Sequence, residues 1–208
     1  MNDPAETETV ALLIRHGHTD AVGQRLVGRL PGVGLSARGR AEVAALAARL
    51  ALTPIAAVYS SPLERAVLTA EPIAAAHGVE VTALDSLIEL DFGEWTGCTF
   101  DALDRLPAWR RFNAHRSTAA VPGGETALDV QRRVVRMLDH LRTTHPHETV
   151  ALVSHQDVIR TAILHCAGVS LDLFDRFEVS SASISALSLG PWTWRVLRTN
   201  DDQHTARP

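Results

Sequence analysis

Arg15, His16 and His18 follow directly on a run of apolar residues in the stretch LLIRHGHTD, residues 12–20. A cation and two imidazoles are costly to bury at a strand end unless a partner or a ligand compensates them. A guanidinium binds phosphate oxygens in bidentate fashion, and a neutral imidazole is a good nucleophile toward phosphorus. These residue types at this place point to a phosphoryl-transfer site.

Three further polar groups stand at the ends of predicted strands. Arg65 follows the second strand, Glu89 the third and His155 the fourth. Ligands of α/β sheets bind beyond the carboxyl ends of the strands, so we expect these side chains to converge with the first group. Guanidiniums and a second imidazole can balance the charge of a transferring phosphoryl group. A protonated carboxylic acid can give its proton to the leaving oxygen, so the set requires neither a metal nor a cofactor.

Strand and helix patterns alternate along the chain, which is typical of an α/β fold with a mostly parallel sheet and helices on both faces. Ser36 is a predicted N-cap of the first helix. Ser61 and Glu64 have the spacing of a capping box, which predicts that the second helix begins at Pro62.

The length of 208 residues predicts a single domain over residues 1–208. Residues 90–122 break the alternation, because glycines, aromatics and the stretch LPAWRRFNAHRS replace the regular pattern. We expect this segment to form a cap-like insertion with short helices.

Composition excludes several classes of function. The net charge of −4 argues against general nucleic-acid binding, and no apolar run reaches the roughly 20 residues that span a membrane. The polar start MNDPAETETV lacks the features of a secretory signal, so we expect a cytoplasmic protein. Cys98 and Cys166 lie far apart and form no metal-binding pair. The choice between a monomer and a homodimer stays open.

Four motifs, in order along the chain, resemble those of the histidine phosphatase superfamily, in its phosphoglycerate-mutase-like branch. RHGHT resembles the family's signature, and SSPLERAVLTAE is similar to its SPxxRAxxTA segment. LIELDFGEWTG is similar to LxExxxGxWEG, and LVSHQDVIR to VSHGGxIR. The likeness runs from residue 10 to about residue 199. It implies a three-layer α/β/α sandwich, phosphoglycerate mutase-like, with an insertion that caps the site.

The resemblance also implies roles for the site residues. His16 would be the nucleophile that becomes phosphohistidine, and Glu89 would be the proton donor. Arg15, Arg65 and His155 would hold the phosphoryl group together with His16. The substrate would be a small phosphorylated metabolite, and no metal ligand is implied.

The chain departs from the family pattern at three positions. Val22 stands where many members have an asparagine in the phosphate pocket, His18 stands where glutamate or glutamine is frequent, and Thr96 replaces the glutamate of WEG. The loop 24–35 resembles one that borders the family's site, and Arg29 in this loop is a candidate for contact with a substrate anion.

Three alternatives accompany the prediction of a metal-independent phosphomonoesterase of the histidine acid phosphatase type. His16-Gly17-His18 is also an HxH pattern like that of metal-dependent amidohydrolases, although those enzymes use a longer (β/α)₈ barrel. A cofactor-dependent phosphoglycerate mutase would share the core motifs, but it would need a longer insertion to shield phosphohistidine from water. A binding module without activity is the third alternative. For the phosphatase we expect a mildly acidic pH preference.

Overall fold

A six-stranded sheet forms the centre of the molecule. The computed structural model describes residues 8–205. The strands are β1 (Thr9–Arg15), β2 (Ala57–Ser60), β3 (Val81–Ala83), β4 (Thr149–Ser154), β5 (Ile184–Leu189) and β6 (Trp194–Asp201), in the spatial order β3-β2-β4-β1-β5-β6. The first four run parallel to one another, β5 pairs antiparallel with β1, and β6 pairs antiparallel with β5. The predicted mostly parallel sheet is confirmed.

Six α-helices accompany the sheet. They are α1 (Ala37–Leu50), α2 (Glu64–His77), α3 (Phe100–Leu103), α4 (Pro107–Ala114), α5 (Ala127–Thr144) and α6 (Gln156–Cys166). Ser36 caps α1 by accepting a hydrogen bond from the backbone N–H of Gly39, as predicted. Among the described residues, no helix combines the length and the apolar character needed to cross a membrane.

Apolar side chains alternate between the two faces of the sheet because successive strand residues point in opposite directions. In β1, Leu12 and Ile14 pack with α1 and α2, whereas Leu13 packs on the other face with α5 and α6. The strand β4 repeats the arrangement with Val153 on the first face and Leu152 on the second. These two cores separate three layers, so the predicted α/β/α sandwich is confirmed.

Residues 90–122 interrupt the alternation of strands and long helices. The segment holds a 3₁₀ turn (Gly93–Trp95), α3 and α4. Its aromatic rings pack on one another, and the Trp95 and Trp109 ring centroids lie 5.4 Å apart. Both side chains are buried, which anchors the segment on the core below it.

The predicted start of α2 is wrong. The helix begins at Glu64 after Leu63, and no side chain caps it. Ser61 lies outside the helix. Its Oγ bonds to Nε2 of His155 and accepts a hydrogen bond from the backbone N–H of Leu63 at 3.3 Å. The reciprocal bonds between Ser61 and Glu64 that a capping box requires are not formed.

Candidate active site

The strand register brings the two histidines together. β1 and β4 are parallel neighbours, and Arg15 lies opposite Ser154 at the end of the ladder. The backbone N–H of His16 donates to the Ser154 carbonyl at 3.0 Å. His16 and His155 therefore follow their strands side by side, with ring centroids 5.1 Å apart.

Hydrogen bonds define the tautomer of His16. Its Nδ1 lies 2.8 Å from the Gly17 carbonyl, which only accepts, so Nδ1 carries the proton. Its Nε2 accepts from Nε of Arg65 at 3.2 Å, so Nε2 carries the lone pair. Burial lowers the pKa of His16 well below its ordinary value, and the guanidiniums of Arg65 and Arg15 lower it further. The result is a neutral imidazole with its lone pair directed at a guanidinium.

Gly17, the residue after His16, lies so close to α1 that a side chain would not fit there. A Cβ at Gly17 would stand 2.9 Å from the Gly39 carbonyl oxygen and 2.9 Å from Cγ2 of Val43. The N–H of Gly17 donates to Oγ1 of Thr69 at 3.1 Å, and that hydroxyl donates to the Arg65 carbonyl at 2.7 Å. Thr69 thus joins the signature loop to the helix that carries Arg65.

Of the two predicted arginines, Arg65 is buried beside His16 and Arg15 is partly buried. Arg65 is 1% exposed, and its Nη2 donates to the Gly28 carbonyl at 2.7 Å. Nη1 of Arg15 donates to the Val179 carbonyl at 2.7 Å. Nε of Arg15 is buried and has no hydrogen-bond partner within the described chain. A buried N–H without a partner is costly, so this site is suited to an incoming acceptor.

His155 is the N-cap residue of α6 and is fully buried. Its Nε2 lies 2.7 Å from Oγ of Ser61, and its Nδ1 has no partner among residues 8–205. Burial lowers the pKa of His155 well below its ordinary value, and the neighbouring Arg65 and His16 act in the same direction. With the Ser61 hydroxyl donating to Nε2, Nδ1–H is an available donor for an anion.

Glu89 is a carboxylic acid rather than a carboxylate over much of the pH range. Burial, together with the charge of Asp157, raises the pKa of Glu89 to about 7. Its Oε1 accepts from the backbone N–H of Leu90 at 2.9 Å. Such a group can hold a proton near neutral pH and release it during a reaction.

These side chains border one pocket of about 400 Å³. Four of the five predicted site residues line it: Arg15, His16, Arg65 and Glu89. His155 does not line the pocket itself, and its ring centroid lies 5.1 Å from that of His16. The pocket extends to the cap-like segment through Phe100, Trp109 and Asn113.

Arg29 lies outside the lining of this pocket. Its Nε donates to the Glu89 carbonyl at 2.8 Å, and its Nη2 lies 2.7 Å from Oε2 of Glu125. Arg29 thus holds the backbone of Glu89, and its contact with a substrate anion stays a prediction.

The HxH pattern does not form a chelate. Nδ1 of His18 lies 2.9 Å from Oγ of Ser36, and Nδ1 of His16 faces a carbonyl. No three His, Cys, Asp or Glu side chains converge as a metal site within residues 8–205. The six-stranded sheet is also not a (β/α)₈ barrel, so the amidohydrolase alternative is wrong. Val22 does line the pocket, where it offers no polar group.

Sequence reasoning missed several residues of the site. Thr69 was already present in the motif LTAE, so its contact to the signature loop had a detectable signal. Asp157, Arg116 and Arg160 also line the pocket. Asp157 and Arg160 stand in the motif LVSHQDVIR and so had a detectable signal, whereas Arg116 lies in none of the four motifs. Arg116 comes from the irregular segment, whose path the sequence pattern does not determine.

Comparison with known proteins gives a consistent result. The family model of the histidine phosphatase superfamily (branch 1) matches residues 11–202. A bifunctional protein of Mycobacterium tuberculosis is 38% identical over 181 residues, which cover 86% of this chain and 50% of that protein. The chain thus spans about half the length of that relative. Phosphoserine phosphatase 1 of Hydrogenobacter thermophilus is 32% identical over 198 residues, covering 93% of this chain and 92% of its own.

Solved structures share the whole architecture. YhfR of Bacillus stearothermophilus superimposes with a TM-score of 0.89 at 27% identity, covering 95% of this chain and 100% of its own. A mycobacterial glucosyl-3-phosphoglycerate phosphatase gives a TM-score of 0.84 at 27% identity, covering 93% and 99%. Motifs, fold and family model agree, and the chain belongs to the histidine phosphatase superfamily, branch 1.

Proposed function

We propose that the protein is a metal-independent phosphomonoesterase that acts on a small phosphorylated metabolite through a phosphohistidine intermediate. The observation that carries the proposal is the state of His16. Its Nδ1–H is fixed by the Gly17 carbonyl, and its Nε2 lone pair faces the Arg65 guanidinium. This is the arrangement of a nucleophile beside a cation that can bind the group under attack.

In the first step, Nε2 of His16 attacks phosphorus, a P–N bond forms and the P–O bond to the leaving group breaks. Arg15 and Arg65, with Nδ1–H of His155, hold the non-bridging oxygens. When the phosphoryl group binds, one of its oxygens replaces Nε2 of His16 as the acceptor for the Nε–H of Arg65. Glu89 gives its proton to the leaving oxygen, so the alcohol departs neutral.

In the second step, the Glu89 carboxylate takes a proton from water while the water oxygen attacks the phosphohistidine. The P–N bond breaks, inorganic phosphate leaves and His16 returns to its neutral form. The cap-like segment 90–122 borders the pocket and in this proposal selects the substrate. The named activities of the two phosphatase relatives support phosphoric monoester hydrolysis.

The test measures both phosphate release and the intermediate. The wild type should release phosphate from 3-phosphoglycerate or p-nitrophenyl phosphate and should carry an acid-labile, base-stable phosphoryl label after quenching. His16→Ala should lose both signals, while the control His140→Ala, at an exposed position, should keep both. Phosphate release that survives in His16→Ala would refute the proposal. Formation of 2-phosphoglycerate without free phosphate would show a mutase instead.

A further inference from the structure

The Glu89 side chain has few contacts that fix its position. Within residues 8–205, its carboxyl makes one hydrogen bond, in which Oε1 accepts from the N–H of Leu90 at 2.9 Å. Leu90 is the next residue in the chain, so this bond does not tie the carboxyl to another element. A proton donor must nevertheless lie within hydrogen-bond reach of the leaving oxygen. The position of the carboxyl therefore depends on what holds the backbone of residues 86–91, which we call the acid loop.

Two arginines from outside the acid loop hold its backbone. Nη1 of Arg133, on α5, donates to the Ser86 carbonyl at 2.7 Å. Nε of Arg29 donates to the Glu89 carbonyl at 2.8 Å. The two arginine side chains are only 18% and 30% exposed, and cations withdrawn from water in this way need a compensating anion. The anion that orients both guanidiniums also determines where the acid loop lies.

Glu125 supplies this anion. Its Oε2 accepts from Nη2 of Arg29 at 2.7 Å and from Nη2 of Arg133 at 3.2 Å, and its Oε1 accepts from Nε of Arg133 at 3.2 Å. A second acid, Asp91, lies 3.5 Å from Nη1 of Arg29, but its side chain is 40% exposed, so this pair contributes less. Within the described part of the chain, Glu125 is the carboxylate that bridges both arginines.

Glu125 also holds the end of the acid loop itself. Its Oε2 accepts from the N–H of Asp91 at 3.2 Å, and its own N–H donates to the Asp91 carbonyl at 2.9 Å. The preceding residue must be small, because a Cβ at Gly124 would stand 2.2 Å from that carbonyl oxygen. Glu125 stands just before Thr126, whose capping box starts the 18-residue helix α5. The carboxylate is therefore anchored at the start of a long helix that also carries Arg133.

We infer that Glu125 is a positioning residue for Glu89, the proton donor. Its carboxylate orients Arg29 and Arg133, and these two side chains hold the backbone of the acid loop. This inference rests on the proposed function, because the acid loop needs a defined position only if Glu89 protonates the leaving oxygen. Glu125 itself does not line the pocket. Loss of its charge should therefore weaken proton transfer and leave phosphoryl binding and the attack by His16 unchanged.

The test compares two leaving groups in Glu125→Gln, which keeps the shape of the side chain and removes its charge. On glycerol 3-phosphate, whose alkoxide needs a proton, kcat/KM should fall about tenfold, since a small displacement of a reacting group costs this much or more. On p-nitrophenyl phosphate it should fall by about twofold at most, because p-nitrophenolate departs without a proton. The inhibition constant of inorganic phosphate should stay the same, which would show that the phosphoryl site is intact.

Three further variants complete the experiment. Glu94→Gln removes an exposed carboxylate that has no side-chain hydrogen bond or ion pair within residues 8–205, and it should leave both rates unchanged. Addition of Glu125→Gln to Glu89→Gln should cause no further loss on glycerol 3-phosphate, because an absent acid needs no positioning. Arg133→Gln removes the donor to the Ser86 carbonyl and should show the same difference between the two substrates. It provides a second measurement if Glu125→Gln does not fold.

Three results would overturn the positioning role. They are an unchanged rate on glycerol 3-phosphate in Glu125→Gln, an equal loss on both substrates, and an additive loss in the double variant. If the wild type still releases phosphate and carries the phosphoryl label, any of these results defeats the positioning role alone. A wild type without phosphate release and without the label defeats the proposed function.

Discussion

Replacement of Glu89 by glutamine removes the proposed proton donor and keeps the shape of the side chain. In the structure this carboxyl is 8% exposed, accepts from the Leu90 N–H, and has its pKa raised to about 7 by burial and by Asp157. Loss of a positioned acid typically costs about 10²- to 10⁴-fold in rate. Glu89→Gln should therefore lower kcat/KM by this factor on an alkyl phosphate, whose alkoxide is a poor leaving group.

The assay uses two leaving groups and a pH series. On p-nitrophenyl phosphate the loss in Glu89→Gln should be much smaller, because p-nitrophenolate departs without a proton. In the wild type, the protonated fraction of Glu89 falls about tenfold for each pH unit above about 7, so the rate on the alkyl phosphate should fall with it. The lowered pKa of His16 keeps the nucleophile neutral in this range and below it. The activity should thus be greatest on the acid side of neutrality.

Two outcomes would refute the reasoning. An equal loss on both leaving groups would mean that Glu89 does not protonate the leaving oxygen. An alkaline decline that persists unchanged in Glu89→Gln would assign the titration to another group.

Four further predictions follow from named contacts. Glu89→Gln should raise the free energy of unfolding at pH 8 by a few kcal/mol. The wild type loses stability as pH rises from about 4.5, the ordinary pKa of the carboxyl, to about 7, its raised pKa in the folded protein, and glutamine has no such loss. Urea titration at pH 4 and pH 8 measures the change, and an equal change at both pH values would contradict this reasoning. Asp157→Asn should move the alkaline decline to lower pH, since the charge of Asp157 raises the pKa of Glu89; an unmoved pH–rate profile would exclude this coupling. Arg29→Ala removes the donor to the Glu89 carbonyl and should lower kcat roughly tenfold with little change in KM; unchanged steady-state kinetics would show that this contact does not position the acid. Gly17→Ala places a Cβ 2.9 Å from two atoms of α1 and should destabilise the fold by about 1–3 kcal/mol in thermal denaturation; an unchanged Tm would show that α1 can move aside.

The sequence predicts the strand ends well because the buried runs are short and sharply bounded. The apolar runs predict strands over 10–15 and 149–154, and the structure has β1 at Thr9–Arg15 and β4 at Thr149–Ser154. Both runs stop at a charged or polar side chain that the core cannot accommodate without a partner. For this reason five candidate site residues could be proposed from the sequence. The structure places four of them on one pocket and His155 beside His16.

The sequence does not predict side-chain partners that lie far away along the chain. Ser61 looks like a helix cap locally, yet its Oγ also bonds to His155, 94 residues away. Arg29 looks like a free cation in a loop, yet it bonds to Glu125, 96 residues away. Local sequence patterns do not determine which distant residue a side chain contacts. For the same reason the sequence does not predict the ion pair between Arg116 and Asp157.

The pairing of β1 with β4 determines which substitutions can alter the distance between the two histidines. Neighbouring strands lie about 4.8 Å apart, and the two imidazole rings stand 5.1 Å apart. Backbone hydrogen bonds, which no substitution on the surface alters, thus set the separation of the two histidines. The cap-like segment 90–122 contributes Phe100, Trp109 and Asn113 to the same pocket without taking part in this strand ladder. Replacing these three side chains should therefore reshape the space in front of His16 and leave the distance between the two rings unchanged.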